Sequence, residues 1–480
     1  MIRTSFSVCL AAFCLGCGRP APETPGSPDG FTGLFADDYG IEYSVTPDLW
    51  LQRPSTRYHV VEWNPEGKYL LAQNGADNPS EAGLWTRIDW VALEDSEFEW
   101  AFCYAVYDAG SLEEARAAPD SQRETPRIGC NGFPFSRMKR IPTEGANAPE
   151  GWAISHPAAE GLDPDLLSQA VAFIEEDEHD DFRSLVVARN GKLVAEHYFH
   201  GHGPDSLQDM RSAGKSVTSA LVGIAIAEGL IQGVDAPVLP LFPSYAPVLH
   251  DRAGKQAITM AHLLTMTSGL HADADDPSSP GYEDHMWESE DWVRFVLDLP
   301  MSHEPGSAWM YSSASSFLAG AAVEEASGQS LATYAEERLF GPLGIDRYRW
   351  LQTPNGRTVG QGNLSLRARD MAKLGQVYLD GGLWNGQRVL PEAWVRASVE
   401  PLYPVPWENY DGYGYSWYTH TLTIGDKPFP YFLASGNGGN KIYAFPEQRL
   451  VVVTQSAAYN TRYGHSRSLE VLRRVLAAVE

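Results

Sequence analysis

The sequence predicts an α+β protein: an antiparallel β-sheet flanked by helices and carrying a helical insert, preceded by a small, mostly-β domain. Three observations predict it. Strand-like runs lie at both ends of residues 155–480, with helical stretches between them. Residues 31–145 hold short aromatic and β-branched runs broken by Asn74-Gly75, Asp77-Asn78-Pro79 and Pro65-Glu66-Gly67. A stretch rich in Pro, Gly and Ala from Pro142 to Pro157 reads as the linker between the two.

The N-terminus reads as a targeting segment, residues 1–16. Arg3 precedes an apolar run from Phe6 to Leu15 that is too short to cross a bilayer. Leu15-Gly16-Cys17 resembles the end of a bacterial lipobox, with Cys17 as the lipidated residue and simple secretion as the alternative. Cys14, where leucine is usual, is a departure from that pattern. Residues 17–30, with their prolines and glycines, are a tether. This predicts an exported protein, a lipoprotein of the bacterial cell envelope on the periplasmic or outer-membrane face, held to the membrane by its N-terminus. No later stretch is long and apolar enough to span a membrane.

In the small domain, strands are predicted at residues 58–63, 68–72, 84–90 and 99–107, and a helix at 111–118. Its aromatic residues read as core, with a glycan- or protein-binding surface as the alternative. Cys103 and Cys130 are the only cysteines beyond the signal and anchor region. In an exported chain they form a disulfide worth roughly 3–4 kcal/mol by the chain-entropy account, the alternative being two separate buried thiols.

In the larger domain, a helix is predicted over residues 163–176. A hairpin follows over 184–199, turning at Asn190-Gly191, the favoured pair for a two-residue turn. Residues 210–229 read as a buried helix closed by Gly229. Residues 230–348 form the insert. Strands are predicted at 413–422, 431–435, 441–445 and 450–455, and a closing amphipathic helix at 466–479.

Charge and composition exclude some functions. The formal net charge of −26 is opposite to what phosphate binding needs, so no nucleic-acid partner is expected. No cysteine or histidine spacing matches a metal site, and no cofactor motif is found. His200-Gly201-His202 reads as a surface loop.

The chemistry is concentrated at Ser212-Ala213-Gly214-Lys215. Helical residues three apart share a face, which puts the Ser212 hydroxyl beside the Lys215 amine. Serine becomes a useful nucleophile when a base takes its proton, and a desolvated lysine is such a base. The helix N-terminus favours a developing oxyanion. Spacing alone is weak: Ser136-Arg137-Met138-Lys139 repeats it with no helical run behind, and reads as chance. Two further segments support the Ser212 copy. Tyr311, within residues 306–320, is a phenol that can pass a proton to a leaving group, although taken singly it reads as a core tyrosine. Residues 434–440, Ala-Ser-Gly-Asn-Gly-Gly-Asn, let backbone approach a substrate closely, although taken singly the glycines read as a hairpin turn.

Together these segments resemble the serine β-lactamase and penicillin-binding-protein superfamily, in its branch of class C β-lactamases, esterases, D-amino-acid peptidases and nylon-oligomer hydrolases. The resemblance covers about residues 155–480. It is supported by His262-Leu263-Leu264-Thr265-Met266-Thr267-Ser268-Gly269-Leu270, by residues 339–345 and 368–375, and by Leu450-Val451-Val452-Val453. It implies a β-lactamase/transpeptidase-like fold. It makes Ser212 the acylated nucleophile, Lys215 its base partner and Tyr311 the tyrosine of the Y-x-N motif. Asn437-Gly438-Gly439 is aligned with K-T-G, which makes the N–H groups of Ser212 and Asn440 the oxyanion donors. Ser313, Asn437, Gly438 and Gly439 then bind substrate. Ser313 in place of the motif's asparagine, and Asn437 in place of its lysine, argue against a dedicated β-lactamase. An esterase or amidase acting on a small-molecule ester, amide or peptide is the resulting expectation. D-amino-acid peptidase or β-lactamase activity, or a catalytically silent envelope-binding or sensor protein, are the alternatives. Asp273-Ala274-Asp275-Asp276 and Trp287 line the entrance to the pocket or lie on the surface. A Ser-His-Asp hydrolase is disfavoured, because no G-x-S-x-G elbow is present.

Overall fold

The computed structural model describes residues 31–45, 49–52, 56–76, 78–93, 97–140, 151–245 and 252–479. The signal segment, the tether and Cys17 lie outside the described residues, as does most of the linker. The chain divides into two compact units, Met1–Ile141 and Pro142–Glu480.

The first unit is a closed barrel of eight strands, each hydrogen-bonded to the next in sequence. The first strand, Gly33–Asp37, pairs with the last, Ser136–Arg140, which leaves no free edge. Phe35, Tyr43, Trp50, Trp63, Trp90, Trp100 and Phe102 fill the interior, so those aromatic residues are core. The strand ending at Arg140 carries Ser136 and Lys139. Three residues apart on a strand means opposite faces, so this S-x-x-K cannot bring hydroxyl and amine together. Cys103 and Cys130 are disulfide-bonded, with Cα atoms 5.4 Å apart. The bond ties the loop after the helix Leu112–Ala117 back to the barrel wall.

The second unit is built on an eight-stranded sheet. Its order is Gly412–Tyr413, Tyr418–Ile424, Lys427–Gly436, Asn440–Phe445, Leu450–Ser456, Phe182–Arg189, Lys192–Tyr198 and Ala153–Ile154. Only the last pairing is parallel. The central strands are apolar on both faces and bury alternate residues on each, as the period of two requires. Val186, Ile442, Val451 and Val453 pack with the helices Gly214–Ala227 and Ala368–Leu379. Val187, Tyr443, Leu450 and Val452 pack with Pro164–Glu175 and Gly464–Ala477. The sheet is therefore covered by helices on both faces, with the first and last helices together on one of them.

The predicted strand over 413–422 is two strands. Ser416 sits at φ +63 and turns the chain between Tyr413 and Tyr418. Apolar and aromatic residues continue through this turn, so their pattern gives no sign of it.

Candidate active site

Ser212 is delivered by a short strand and a strained turn. Gln208–Asp209 pairs with Leu364–Leu366, and the Met210 N–H donates to the Leu364 carbonyl at 2.9 Å. Arg211 then adopts φ +51, which is rare for a side-chain-bearing residue, and its N–H donates to Asp209 Oδ1 at 2.8 Å. A single 3₁₀ turn, Arg211–Ala213, runs into the helix Gly214–Ala227. Ser212 thus stands at the mouth of the helix, and Lys215 lies in its first turn, only 3% exposed.

The Lys215 amine donates to Ser212 Oγ at 2.9 Å, to the Gln361 carbonyl at 2.8 Å and to Ser313 Oγ at 3.4 Å. Burial pushes Lys215 down from its ordinary 10.5 to about 8, while the charges of Glu283 and Asp275 oppose that fall. A substantial neutral fraction at neutral pH is the physical requirement for a lysine base. Tyr311 lines the cleft together with Ser212, and its ring centroid lies 5.1 Å from the lysine nitrogen. Burial holds the phenol above its ordinary range, so it stays protonated at neutral pH.

The supporting motif at residues 262–270 positions Tyr311. Met266 turns at φ +61, its carbonyl accepts from the Met310 N–H at 2.9 Å, and its sulfur faces the Ser312 N–H at 3.4 Å. Ser312 caps the helix Ser313–Ser327 through the Ser315 N–H, which fixes Ser313 on the turn beside Lys215. Ser313 is 1% exposed and donates to Glu283 Oε2 at 2.8 Å.

A cleft of about 480 Å³ opens in front of Ser212. Asp275, Glu283 and Tyr311 form one wall; Trp407, Tyr410 and Tyr418 form an aromatic wall; Ser435, Gly436 and Asn437 form the third. The acidic loop reaches the cleft because the Ala274 N–H donates to the Tyr311 carbonyl at 3.0 Å, which sets Asp275 beside it. Trp287 does not line the cleft; it packs edge-on against Trp292 and stays 37% exposed.

The part of this segment that lines the cleft with Ser212 is Ser435–Gly436–Asn437, and of the three residues aligned with K-T-G only Asn437 belongs to it. Gly436 has an extended backbone, and a Cβ there would stand 2.0 Å from the Met210 carbonyl and 3.2 Å from the Ala213 nitrogen. Only glycine lets this strand end lie against the nucleophile turn. The chain then reverses. Gly438 and Gly439, at φ +84 and +90, turn away from the cleft; a Cβ on Gly439 would meet the Gly464 carbonyl at 2.4 Å. These two glycines serve the turn and its packing on the C-terminal helix, and they do not line the cleft. Asn440 is fully buried, with its carboxamide donating to the Asn437 and Ser456 carbonyls at 2.8 and 2.9 Å. It pairs with Gly436 across the turn and is not among the residues that line the cleft.

The structure therefore brings together Ser212, Lys215, Tyr311 and Ser313, and sets Asn437 at the cleft. Glu283, Gln361, Ser435 and the aromatic wall are additions. Gln361 contributes through its backbone, and Trp407 and Tyr410 come from an irregular loop, so neither leaves a sequence pattern. Among the described residues no cluster of three or more His, Cys, Asp or Glu is placed to hold a metal ion.

Comparison with known proteins agrees with this architecture. The β-lactamase family model matches residues 183–478, and the chain belongs to that family. It is 32% identical over 183 residues to esterase EstB of Burkholderia gladioli, a match covering 33% of this chain and 44% of the esterase. It is 26% identical over 298 residues to the 6-aminohexanoate-dimer hydrolase of Paenarthrobacter ureafaciens, covering 58% of this chain and 72% of the hydrolase. The match thus spans less than half the length of the esterase. Among solved structures, a penicillin-binding-protein homologue from Caulobacter crescentus superposes with a TM-score of 0.52 at 19% identity, over 66% of this chain and 98% of that one. EstCE1, a hydrolase with promiscuous acyltransferase activity, gives a TM-score of 0.52 at 15% identity, over 67% and 99%. These structural likenesses establish the shared fold. Family and relatives together point to a hydrolase of the β-lactamase fold.

Proposed function

We propose that the protein is a serine hydrolase that cleaves a small-molecule ester or amide through an acyl-enzyme on Ser212. The observation that carries this reading is the 2.9 Å contact between Ser212 Oγ and a buried lysine whose pKa is pushed down to about 8. Neutral Lys215 takes the Ser212 proton as Oγ attacks the carbonyl carbon. The oxyanion that forms sits at the N-terminal end of the nucleophile helix, where the Ser212 N–H is one donor. The Asn437 N–H is the second. Asn437 and Ser212 both line the cleft, and the Asn437 carboxamide donates to Asn460 Oδ1 at 2.6 Å. As the tetrahedral intermediate collapses, the Tyr311 hydroxyl passes a proton to the leaving alcohol or amine and is reprotonated from the Lys215 side. Water then attacks the acyl group by the reverse route, and Ser212 is released.

The relatives named as esterase and amide hydrolase support an ester or amide substrate. The test is covalent labelling by a fluorophosphonate, followed by mass spectrometry of the digest. The expected adduct is on Ser212, and Ser212→Ala should lose both label and ester turnover. An adduct on another serine, or full turnover in Ser212→Ala, would overturn the assignment. Tyr311→Phe should keep the label site but slow turnover by about 10²-fold or more.

We also propose that the chain is exported and anchored by lipid at Cys17. The Leu15-Gly16-Cys17 sequence supports this, and the Cys103–Cys130 disulfide fits an oxidising compartment. A mature product from the native host that still begins before Cys17 would refute it.

A further inference from the structure

Lys215 has a hydrogen-bond arithmetic that the nucleophile–base pair alone does not explain. As an ammonium it has three protons, and three oxygens surround it: Ser212 Oγ, the Gln361 carbonyl and Ser313 Oγ. As a neutral amine it keeps two protons and gains one lone pair. Which oxygen the lone pair faces decides whether Lys215 is a base toward Ser212. The Gln361 carbonyl can only accept, so it claims one N–H. A hydroxyl can accept or donate, and a free Ser313 hydroxyl would compete by donating to the lone pair. Ser313 is not free. Its proton is donated to Glu283 Oε2 at 2.8 Å, so toward Lys215 its oxygen can only accept. Both remaining N–H groups are then spent on Gln361 and Ser313, and the lone pair is left facing Ser212.

Resting on the reading of Ser212 and Lys215 given above, we infer that Glu283 is a positioning residue: by holding Ser313 as a hydrogen-bond acceptor, it aims the lone pair of neutral Lys215 at the nucleophile. Glu283 sits at the first position of the short helix Glu283–Trp287 in the insert, half-buried at the cleft wall. Its carboxylate has a second effect through charge, since it favours the ammonium form of Lys215. Asp275 faces Lys215 from the acidic loop with the same sign, and the neutral Tyr311 ring faces it from the adjoining segment. Glu283 thus trades some neutral fraction for a fixed direction of the lone pair.

The test is the single-turnover acylation rate of an activated ester between pH 5.5 and 9.5 in wild type, Glu283→Gln, Ser313→Ala and the double variant. Glu283→Gln is nearly isosteric and removes the charge. Its acid limb should move to lower pH, while its high-pH plateau falls by up to about fivefold, because the neutral amide oxygen is a weaker acceptor than the carboxylate and the amide N–H end can turn to Ser313 instead. Ser313→Ala should lower the plateau similarly and leave the acid limb in place, because Glu283 is still present. The double variant should acylate no more slowly than the slower single variant, since the two side chains act as one unit. An unmoved acid limb in Glu283→Gln, or losses that multiply in the double variant, would overturn the inference. Should Ser313→Ala fail to fold, as shown by its thermal melt, the acid limb and plateau of Glu283→Gln still decide. Wild-type labelling at Ser212 separates the two claims: its absence removes the nucleophile reading itself, whereas its presence with an unaltered Glu283→Gln removes only the role of Glu283.

Discussion

Lys215 governs how the rate depends on pH, and the size of that effect follows from its burial. At an ordinary value of 10.5, roughly 0.03% of a lysine is neutral at pH 7; at about 8, roughly 9% is. The pocket therefore raises the amount of competent base about 300-fold. Below pH 8 the neutral fraction falls tenfold per pH unit. The value of kcat/KM for an activated ester should thus rise close to tenfold between pH 6 and 7, bend near 8 and level above it. Lys215→Arg should be nearly as inactive as Lys215→Met, because a guanidinium does not give up its proton in this range. The same displacement has a stability sign. The folded state holds Lys215 neutral more readily than the unfolded chain does, so between about 8 and 10.5 the unfolded chain binds more protons. Stability of the wild type relative to Lys215→Met should accordingly increase as pH rises through that window, by about 3 kcal/mol in all. The assay is initial rate with a p-nitrophenyl ester, corrected for spontaneous hydrolysis, together with denaturant melts at pH 7.5 and 10.5. A kcat/KM profile that is flat from pH 6 to 8 would refute the reasoning.

Three other outcomes are expected. Gly436→Ala should lower stability by about 1–3 kcal/mol and cut acylation sharply, because its Cβ would stand 2.0 Å from the Met210 carbonyl and push the nucleophile turn; the checks are a denaturant melt and the fluorophosphonate labelling rate. Replacing both Cys103 and Cys130 by serine should destabilise the barrel unit by about 3 kcal/mol while leaving ester turnover of the folded enzyme intact, read by barrel tryptophan fluorescence in denaturant and by initial rate. Ser136→Ala and Lys139→Ala should each leave turnover unchanged, since the two side chains are on opposite faces of a barrel strand and Lys139 forms an exposed ion pair with Glu97.

The sequence by itself determined the local chemistry and the layers. Helical spacing put Ser212 beside Lys215, alternation and turn residues marked the hairpin at Asn190-Gly191, and the two remaining cysteines could pair only with each other. These are short-range facts, carried by residues a few positions apart or by elimination. The barrel was only partly legible. Its short strands Gly33–Asp37, Glu42–Val45, Leu49–Gln52 and Ser136–Arg140 lack long alternating runs, and their pairing, including closure of the first strand on the last, defines them. Tertiary structure alone decided which part of residues 434–440 meets the nucleophile. Glycine composition marks a place where backbone can come close, but not the residue at which the strand ends and the chain reverses. Here strand pairing sets Gly436 against Met210 and sends Gly438 and Gly439 to the C-terminal helix. Only the fold could bring Glu283 from the insert to Ser313 on another helix, because a hydrogen bond between residues 30 positions apart leaves no periodicity in the chain.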